Sequence, residues 1–238
     1  MQMLGKMCKK NLPRVDAWMV DMILLCAGFM DGELARSTLN INDLPVEILR
    51  HILSYFTQRE LLLTIVPVCQ LWCNLAYDPL CWRTLLFDLS NENITSETLE
   101  HCFIRAPLLH SLEVIGGRYS RFSLSTADIH SCASYCDKVI DLRLRFISSL
   151  DLEMVEELVH SFPHLESLNV EGCELLDHKC ILCLCDLSRL HKLNVAHCTQ
   201  LTDKMLDILP NNLPLLRELN IDGLNHITDR YTVTFYLS

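Results

Sequence analysis

Glycine is scarce in this sequence, with seven residues in 238. A phosphate-binding loop needs closely spaced glycines so that its backbone can approach the ligand, and no such loop is present. Basic residues are also few: 20 Lys and Arg stand against 30 Asp and Glu, for a net charge of −10. No basic run extends beyond Lys9-Lys10. Composition therefore argues against nucleotide-dependent chemistry and against binding to duplex DNA or RNA.

A membrane-spanning run is missing too. The stretch from Trp18 to Met30 is apolar and follows four basic residues, but Asp21 interrupts it. It is too short to cross a bilayer, and no small-residue cleavage site follows Met30. We expect residues 1–40 to form a poorly defined leader that packs on the segment that follows it, residues 41–84. Membrane association of this leader is the minority alternative.

The cysteine pattern lacks the regularity of a disulfide framework. Thirteen cysteines, an odd number, are scattered through apolar runs, which favours a reduced compartment, the cytoplasm or nucleus. His178, Cys180, Cys183 and Cys185 crowd together without the paired spacing of a zinc site or a RING domain. No motif marks a cysteine as an activated nucleophile. We therefore predict no catalytic residue, metal or cofactor, and a thiol- or zinc-dependent enzyme is the weakest alternative.

Residues 41–84 carry the pattern of three short helices. Asp43 is predicted to cap the first, with Pro45 in its first turn. Thr57 and Glu60 have the spacing of a capping box for the second. Pro67 is predicted to end that helix and to start the third. About 40 residues cannot bury so much apolar surface, so a partner or a second domain must cover part of it.

The ordered residues of this segment resemble an F-box. The resemblance is carried by Leu44-Pro45, Glu47-Ile48-Leu49, Ile52, Ser54-Tyr55-Phe56, Val68-Cys69, Trp72, Asp78-Pro79 and Trp82-Arg83. Gln70 and Pro67 depart from the usual pattern without removing an apolar anchor. The resemblance implies docking onto a Skp-family adaptor, and through it onto a cullin and a RING subunit. The implied adaptor-binding residues are Leu44, Pro45, Ile48, Leu49, Ile52, Leu61, Val68 and Trp72. A three-helix bundle with no adaptor is the alternative.

Residues 85–230 repeat a pattern about every 26 residues. Anchor leucines recur at Leu85, Leu112, Leu142, Leu168, Leu193 and Leu219, and alternating apolar residues around each predict a strand. A second apolar pattern between the anchors predicts a short helix. In this register Cys180 aligns with Met205 and Cys183 with Ile208, ordinary helix positions. A wider interval between Leu112 and Leu142 marks an insertion near residues 116–119.

A strand and a helix in each of five to six units resemble leucine-rich repeats. Cys173 and Cys198, followed by Leu201-Thr202-Asp203 and Ile227-Thr228-Asp229, resemble the cysteine-containing type found in F-box proteins. The resemblance implies a three-helix F-box followed by a solenoid arc, an α/β repeat with parallel strands inside and helices outside. One repeat cannot bury its apolar face alone, whereas a stack makes a continuous core.

Strand alternation predicts which residues face the hollow of the arc. We expect a substrate surface on this side; besides Ile115 and Ala196 it comprises Glu113, Arg143, Arg145, Asn169, Glu171, Asn194, Asn220 and Asp222. The asparagines also have a structural interpretation. Arg143 and Arg145 are neighbouring cations in an acidic protein, suited to an acidic or phosphorylated peptide. Alternatively, Glu171 on the next strand neutralises them.

The resemblance predicts a non-catalytic substrate receptor of a Skp–cullin–F-box ubiquitin ligase, leading to ubiquitination and degradation of an unidentified target. The alternative is a leucine-rich-repeat binding or inhibitor module with no ligase role. Residues 231–238 are apolar and β-prone, and the repeat register is lost before them. Two explanations compete: the tail folds back as a cap, or the array is a shortened form of a longer one. The abrupt loss of register favours the second, with a tendency to self-associate.

Overall fold

The structure, a computed structural model, describes residues 41–90, 94–117 and 122–228. The predicted leader 1–40, the tail 231–238 and the last residues of the predicted array lie outside these ranges. So does most of the predicted insertion, beyond Gly117.

The chain begins its described part with a compact helical segment. A 3-10 turn at Ile41–Asp43 precedes helix α1 (Val46–Leu53). Helix α2 (Gln58–Glu60) continues as a π-helical turn over Leu61–Ile65, and helix α3 spans Gln70–Ala76. A second 3-10 turn, Pro79–Trp82, leads into the sheet. The three predicted helices are thus present, although their starts differ.

The first residues of the three helices were predicted with mixed success. The Thr57–Glu60 capping box is confirmed: the Thr57 N–H donates to the Glu60 carboxylate over 2.9 Å, and the Glu60 N–H donates to Thr57 Oγ1. The predicted cap at Asp43 is wrong. Pro45, extended at ψ 143°, occupies the N-cap position, and a residue before proline disfavours helical geometry. The third helix starts at Gln70, not Pro67, because Cys69 is fully extended.

The rest of the described chain alternates strands and helices. The strands are β1 (Thr84–Asp88), β2 (Ser111–Ile115), β3 (Asp141–Arg145), β4 (Ser167–Asn169), β5 (Lys192–Asn194) and β6 (Glu218–Asn220). The helices are α4 (Ser96–Arg105), α5 (Thr126–Tyr135), α6 (Leu152–Ser161), α7 (His178–Leu184) and α8 (Lys204–Asn212). All six strands pair in parallel in chain order, as one sheet.

The strand register confirms the repeat spacing. Each anchor leucine pairs with the next, from Leu85 opposite Leu112 through to Leu193 opposite Leu219. These leucines form a ladder on one face of the sheet, and all but the last are buried. Helix residues such as Leu99, Val155 and Ile181 join the same apolar cluster. The core therefore lies between the sheet and a layer of helices, as repeat stacking requires.

Side-chain caps fix where the repeat helices begin. Thr95, Ser125, Asp151 and Asp177 are N-cap residues whose side chains accept backbone N–H groups of the first turn. Asp203 precedes α8 differently, because its carboxylate accepts the N–H and the hydroxyl of Thr228 over 2.8 and 2.7 Å. That pair ties α8 to the segment after β6.

Candidate interaction surfaces

The predicted adaptor-binding residues divide by burial. Leu49 and Leu61 are buried in the core of the helical segment, so they can only support a surface from beneath. Leu44, Ile48, Ile52 and Trp72 are half-buried, whereas Pro45 and Val68 are exposed. The indole N–H of Trp72 donates to Asn42 Oδ1 over 2.6 Å, which fixes the ring. The set therefore combines outward-facing side chains with residues that hold them in place.

Further exposed apolar side chains on the same segment went unpredicted. Leu63 is 66% exposed, and Leu62, Val46, Ile41 and Tyr55 are also exposed. The sequence does indicate the exposure of Leu62 and Leu63, because three leucines, Leu61 to Leu63, are consecutive. Successive residues of a helix point in different directions, so a single core cannot take all three. Only Leu61 is buried.

The helical segment is joined to the sheet by a polar and apolar seam. Trp82 is buried, and its indole N–H donates to the Ala76 carbonyl over 2.8 Å. Gln58 Nε2 donates to the Thr84 carbonyl over 3.0 Å. Within the helical segment, Arg50 Nε lies 2.6 Å from the Asp78 carboxylate. Helical and repeat parts consequently share one apolar cluster.

The face of the sheet opposite the leucine ladder, the open face, carries the predicted substrate residues. Arg143 Nη2 donates to the Asp141 carboxylate over 2.8 Å. Arg145 bridges two glutamates, with Nε 3.2 Å from Glu171 Oε2 and Nη1 3.4 Å from Glu113 Oε1. Although partial burial by itself lowers the pKa of Arg145, its hydrogen bonds to these glutamates raise it overall. Glu171 thus pairs with Arg145, whereas Arg143 pairs with Asp141 and lies 3.8 Å from Glu113. Target binding by the two arginines stays a prediction.

The asparagines of the open face have a structural role. Oδ1 of Asn169, Asn194 and Asn220 in each case accepts the backbone N–H two residues further on, over 2.9 to 3.0 Å. These bonds shape the turn that follows each short strand. Ala196 is buried. Substrate contact by these asparagines and by Asp222 stays a prediction.

In the turns that follow β3 to β6, the residue at one equivalent position of each repeat has a left-handed backbone conformation. Phe146, Gly172, His197 and Gly223, each four residues after its anchor leucine, have φ between 55° and 70°. Glycine accepts this conformation readily, whereas another residue there costs about 1–2 kcal/mol. A Cβ on Gly172 would lie 2.3 Å from the Phe146 ring. The rings of Phe146 and His197 therefore lie over the glycine of the next repeat.

A groove of about 530 Å³ lies at the N-terminal ends of β3 to β6. Its charged walls are balanced: Asp141, Glu166 and Glu218 stand against Arg143, Lys192 and Arg217, with His191 beside them. Lys192 Nζ lies 2.7 Å from the Glu218 carboxylate. Nothing in this arrangement selects an anion over a cation.

The cysteines in the described ranges give little support for a thiol-dependent reaction. The eleven cysteines there are free thiols. Burial raises the pKa of Cys173 to about 12 and of Cys180, Cys185 and Cys198 to about 11, so each is protonated at neutral pH. Within these ranges no three His, Cys, Asp or Glu side chains are grouped as metal ligands. Cys173 and Cys198 instead donate to the Leu144 and Val170 carbonyls of the preceding repeats.

Comparison with known proteins identifies the helical segment. The family model described as F-box-like matches residues 41–88, which covers α1 to α3 and β1. A separate comparison with curated proteins finds no match. No helix in the described part of the chain is long and apolar enough to cross a membrane.

Solved structures with similar backbones are distant. The chain is 16% identical to the leucine-rich-repeat protein LegL7 from Legionella pneumophila, over 78% of this chain and 62% of that one, with a TM-score of 0.46. The TLR13–ssRNA13 complex matches at 17% identity over 61% and 20% of the two chains, with a TM-score of 0.45. The Rad7–Elc1 complex of yeast matches at 10% identity over 81% and 77%, with a TM-score of 0.33. The chain thus spans 20% and 62% of the first two relatives, and such distant likenesses carry no functional argument.

The parallel sheet, its leucine ladder and its layer of helices define a leucine-rich-repeat protein, and the segment before the sheet defines an F-box-like domain. Together they are similar to the architecture of F-box/leucine-rich-repeat proteins. Proteins of this architecture are typically non-catalytic adaptors that act through protein interactions. Both surfaces described above are suited to that role.

Proposed function

We propose that this protein is the substrate-recognition subunit of a Skp–cullin–F-box ubiquitin ligase in the cytoplasm or nucleus. The observation that carries the proposal is the F-box-like match over residues 41–88. On that segment Pro45 and Val68 are exposed and Ile48 and Ile52 half-buried. Exposed apolar side chains grouped on a small domain favour a protein partner, here a Skp-family adaptor.

The proposed mechanism is positioning. The F-box-like domain binds the adaptor, the open face binds a target protein, and a separate enzyme supplies ubiquitin. Holding two reactants together raises their effective concentration, so this chain needs no catalytic group. The shared core between the two parts supports this arrangement, because a rigid connection fixes the distance from adaptor to target.

The test is co-expression with a Skp-family adaptor, followed by purification of this chain and detection of the bound adaptor. Ile48→Asp combined with Ile52→Asp is expected to abolish co-purification, because buried anchors at an interface are commonly worth about 2 kcal/mol each. Since both isoleucines are half-buried, Val68→Asp, at an exposed position, provides a variant that leaves the core intact. Leu182→Asp, exposed on helix α7, is the matched control. Unchanged co-purification of both F-box variants would refute the proposal.

A second candidate function rests on the shared core. A helical cap that merely closes the end of a repeat array would also bury Trp82 and pack beside Leu85. In that case the chain is a binding or inhibitor module without a ligase role. A wild-type chain that binds its target but no adaptor would favour this alternative.

A further inference from the structure

Phe146 occupies an unusual position on the open face. Its backbone is left-handed at φ 55°, although the equivalent positions in the next and the last described repeats, Gly172 and Gly223, are glycines. The residue is 40% exposed, so part of its ring stays open to a partner. His197 shares this conformation, so the backbone position belongs to the repeat; what distinguishes Phe146 is the exposed apolar aromatic ring that the position holds.

The orientation of the Phe146 ring is fixed by its neighbours. The ring lies against Gly172, where a Cβ would come within 2.3 Å of Cδ1. The Arg145 guanidinium stands 5.6 Å from the ring centroid, and Glu113 and Glu171 in turn hold that guanidinium. Ile115, half-buried on the neighbouring strand, pairs with Arg145. An aromatic side chain with few accessible rotamers loses little entropy on binding.

The open face that carries this ring has a net negative charge. The outward positions of the strands and the residues just after them carry six carboxylates, which are Asp88, Glu113, Asp141, Glu171, Glu218 and Asp222. Three cations oppose them: Arg143, Arg145 and Lys192. Arg143 pairs with Asp141 and lies 3.8 Å from Glu113, Arg145 bridges Glu113 and Glu171, and Lys192 pairs with Glu218. With six carboxylates against three cations, the open face as a whole favours a cationic over an anionic partner.

We propose that Phe146 anchors an extended basic segment of a target protein at the C-terminal ends of β2 to β5. An apolar side chain of that segment packs on the Phe146 ring and Ile115, and Lys or Arg side chains on either side lie beside Glu113 and Glu171. This proposal deepens the proposed function and rests on it, because it names the class of target for the open face. It replaces the acidic or phosphorylated peptide expected from Arg143 and Arg145 alone.

The test uses the full chain and two matched sets of synthetic 15-residue peptides. One set places Lys and Arg around a central Leu or Phe; the other places Asp, Glu and phosphoserine around the same centre. The wild type is expected to bind the basic set at least about tenfold more tightly, with affinity falling as salt rises. Preference for the acidic set, or no binding to either set, would overturn the proposal.

Variants connect any binding to the ring. Phe146→Gly suits the left-handed backbone, so its melting temperature should not fall, yet its affinity for the basic set should fall about tenfold or more. Phe146→Tyr should retain binding, Glu113→Gln with Glu171→Gln should weaken it, and Leu182→Ala on helix α7 should leave it unchanged. Equal binding by wild type and Phe146→Gly would contradict the proposal. Adaptor binding measured on the same proteins reports separately on the ligase role.

Discussion

Single residues in the turns after the strands hold the repeats together. Cys173 and Cys198 are fully buried, and each Sγ–H donates to a carbonyl of the preceding repeat over 3.1 and 3.2 Å. A cysteine suits this position because it is small, apolar and still a weak donor. Cys69, in contrast, is exposed on the F-box-like domain.

Alkylation separates these two kinds of cysteine. In brief native treatment with iodoacetamide at neutral pH, Cys69 should be modified, whereas Cys173 and Cys198 should stay unmodified. Burial both blocks access and raises the pKa of Cys173 to about 12 and of Cys198 to about 11, so the reactive thiolate is absent. Peptide mass spectrometry gives the readout, with urea-unfolded protein as the control in which all three react. Native modification of Cys198 as fast as Cys69 would show that the turn is open.

Gly172 gives a second prediction at the residue scale. Gly172→Ala should lower the free energy of unfolding by about 2 kcal/mol or more, since it adds left-handed strain and a clash with the Phe146 ring. Phe146→Gly in the same chain should restore only the part due to the clash. Urea titrations of the wild type, both single variants and the double variant measure the coupling. A double variant no more stable than Gly172→Ala would mean that the ring does not lie over Gly172.

At the scale of elements, caps position the outer helices against the sheet. The Asp177 carboxylate accepts the N–H groups of Lys179 and Cys180 over 2.9 and 3.0 Å at the start of α7. The hydrogen bond from the Cys180 N–H is the main cause that lowers the pKa of Asp177 below its ordinary 3.8. Asp177→Ala should therefore cost about 1 kcal/mol at neutral pH.

The same cap predicts a pH dependence. Because the pKa of Asp177 is lower in the folded state, its contribution is present above the unfolded value, near 3.8, and is lost as the pH falls through the folded value. The stability difference between wild type and Asp177→Ala should shrink below about pH 4. Asp177→Asn, which can still cap, and Glu174→Ala, nearby and exposed, are the controls. A difference that stays constant down to pH 3 would contradict the assigned hydrogen bonds.

Sequence patterns predicted elements better than their ends. The Thr57–Glu60 capping box was predictable because both partners lie within one turn. The cap predicted at Asp43 fails because Pro45 keeps Leu44 out of helical geometry, so the helix starts only after Pro45. The exposure of Leu62 and Leu63 depends on which face of the π-helical turn Leu61–Ile65 packs against the neighbouring helices, which is set by tertiary structure. The neutralisation of Arg145 likewise depends on side chains from two other strands, Glu113 and Glu171.

For the whole molecule, regular spacing made the array the most predictable part. Leucines at constant intervals can share a core only if the strands are parallel and in register, and the ladder from Leu85 to Leu219 has that register. The left-handed position is signalled only by Gly172 and Gly223 in their repeats, and the sequence does not show that Phe146 adopts the same conformation. The proposed target site therefore needed the structure, whereas the F-box-like domain was readable from its residues.

The central claim is that this molecule binds an adaptor with its helical start and leaves its sheet free for a target. Hydrogen–deuterium exchange with and without a purified Skp-family adaptor tests it most directly, because protection is read along the whole chain. We expect the adaptor to slow exchange in α1 to α3, residues 46–76, and to leave the segments following β3 and β4, around Phe146 and Gly172, unchanged. Protection centred on the sheet, or no protection anywhere at saturating adaptor, would contradict the account.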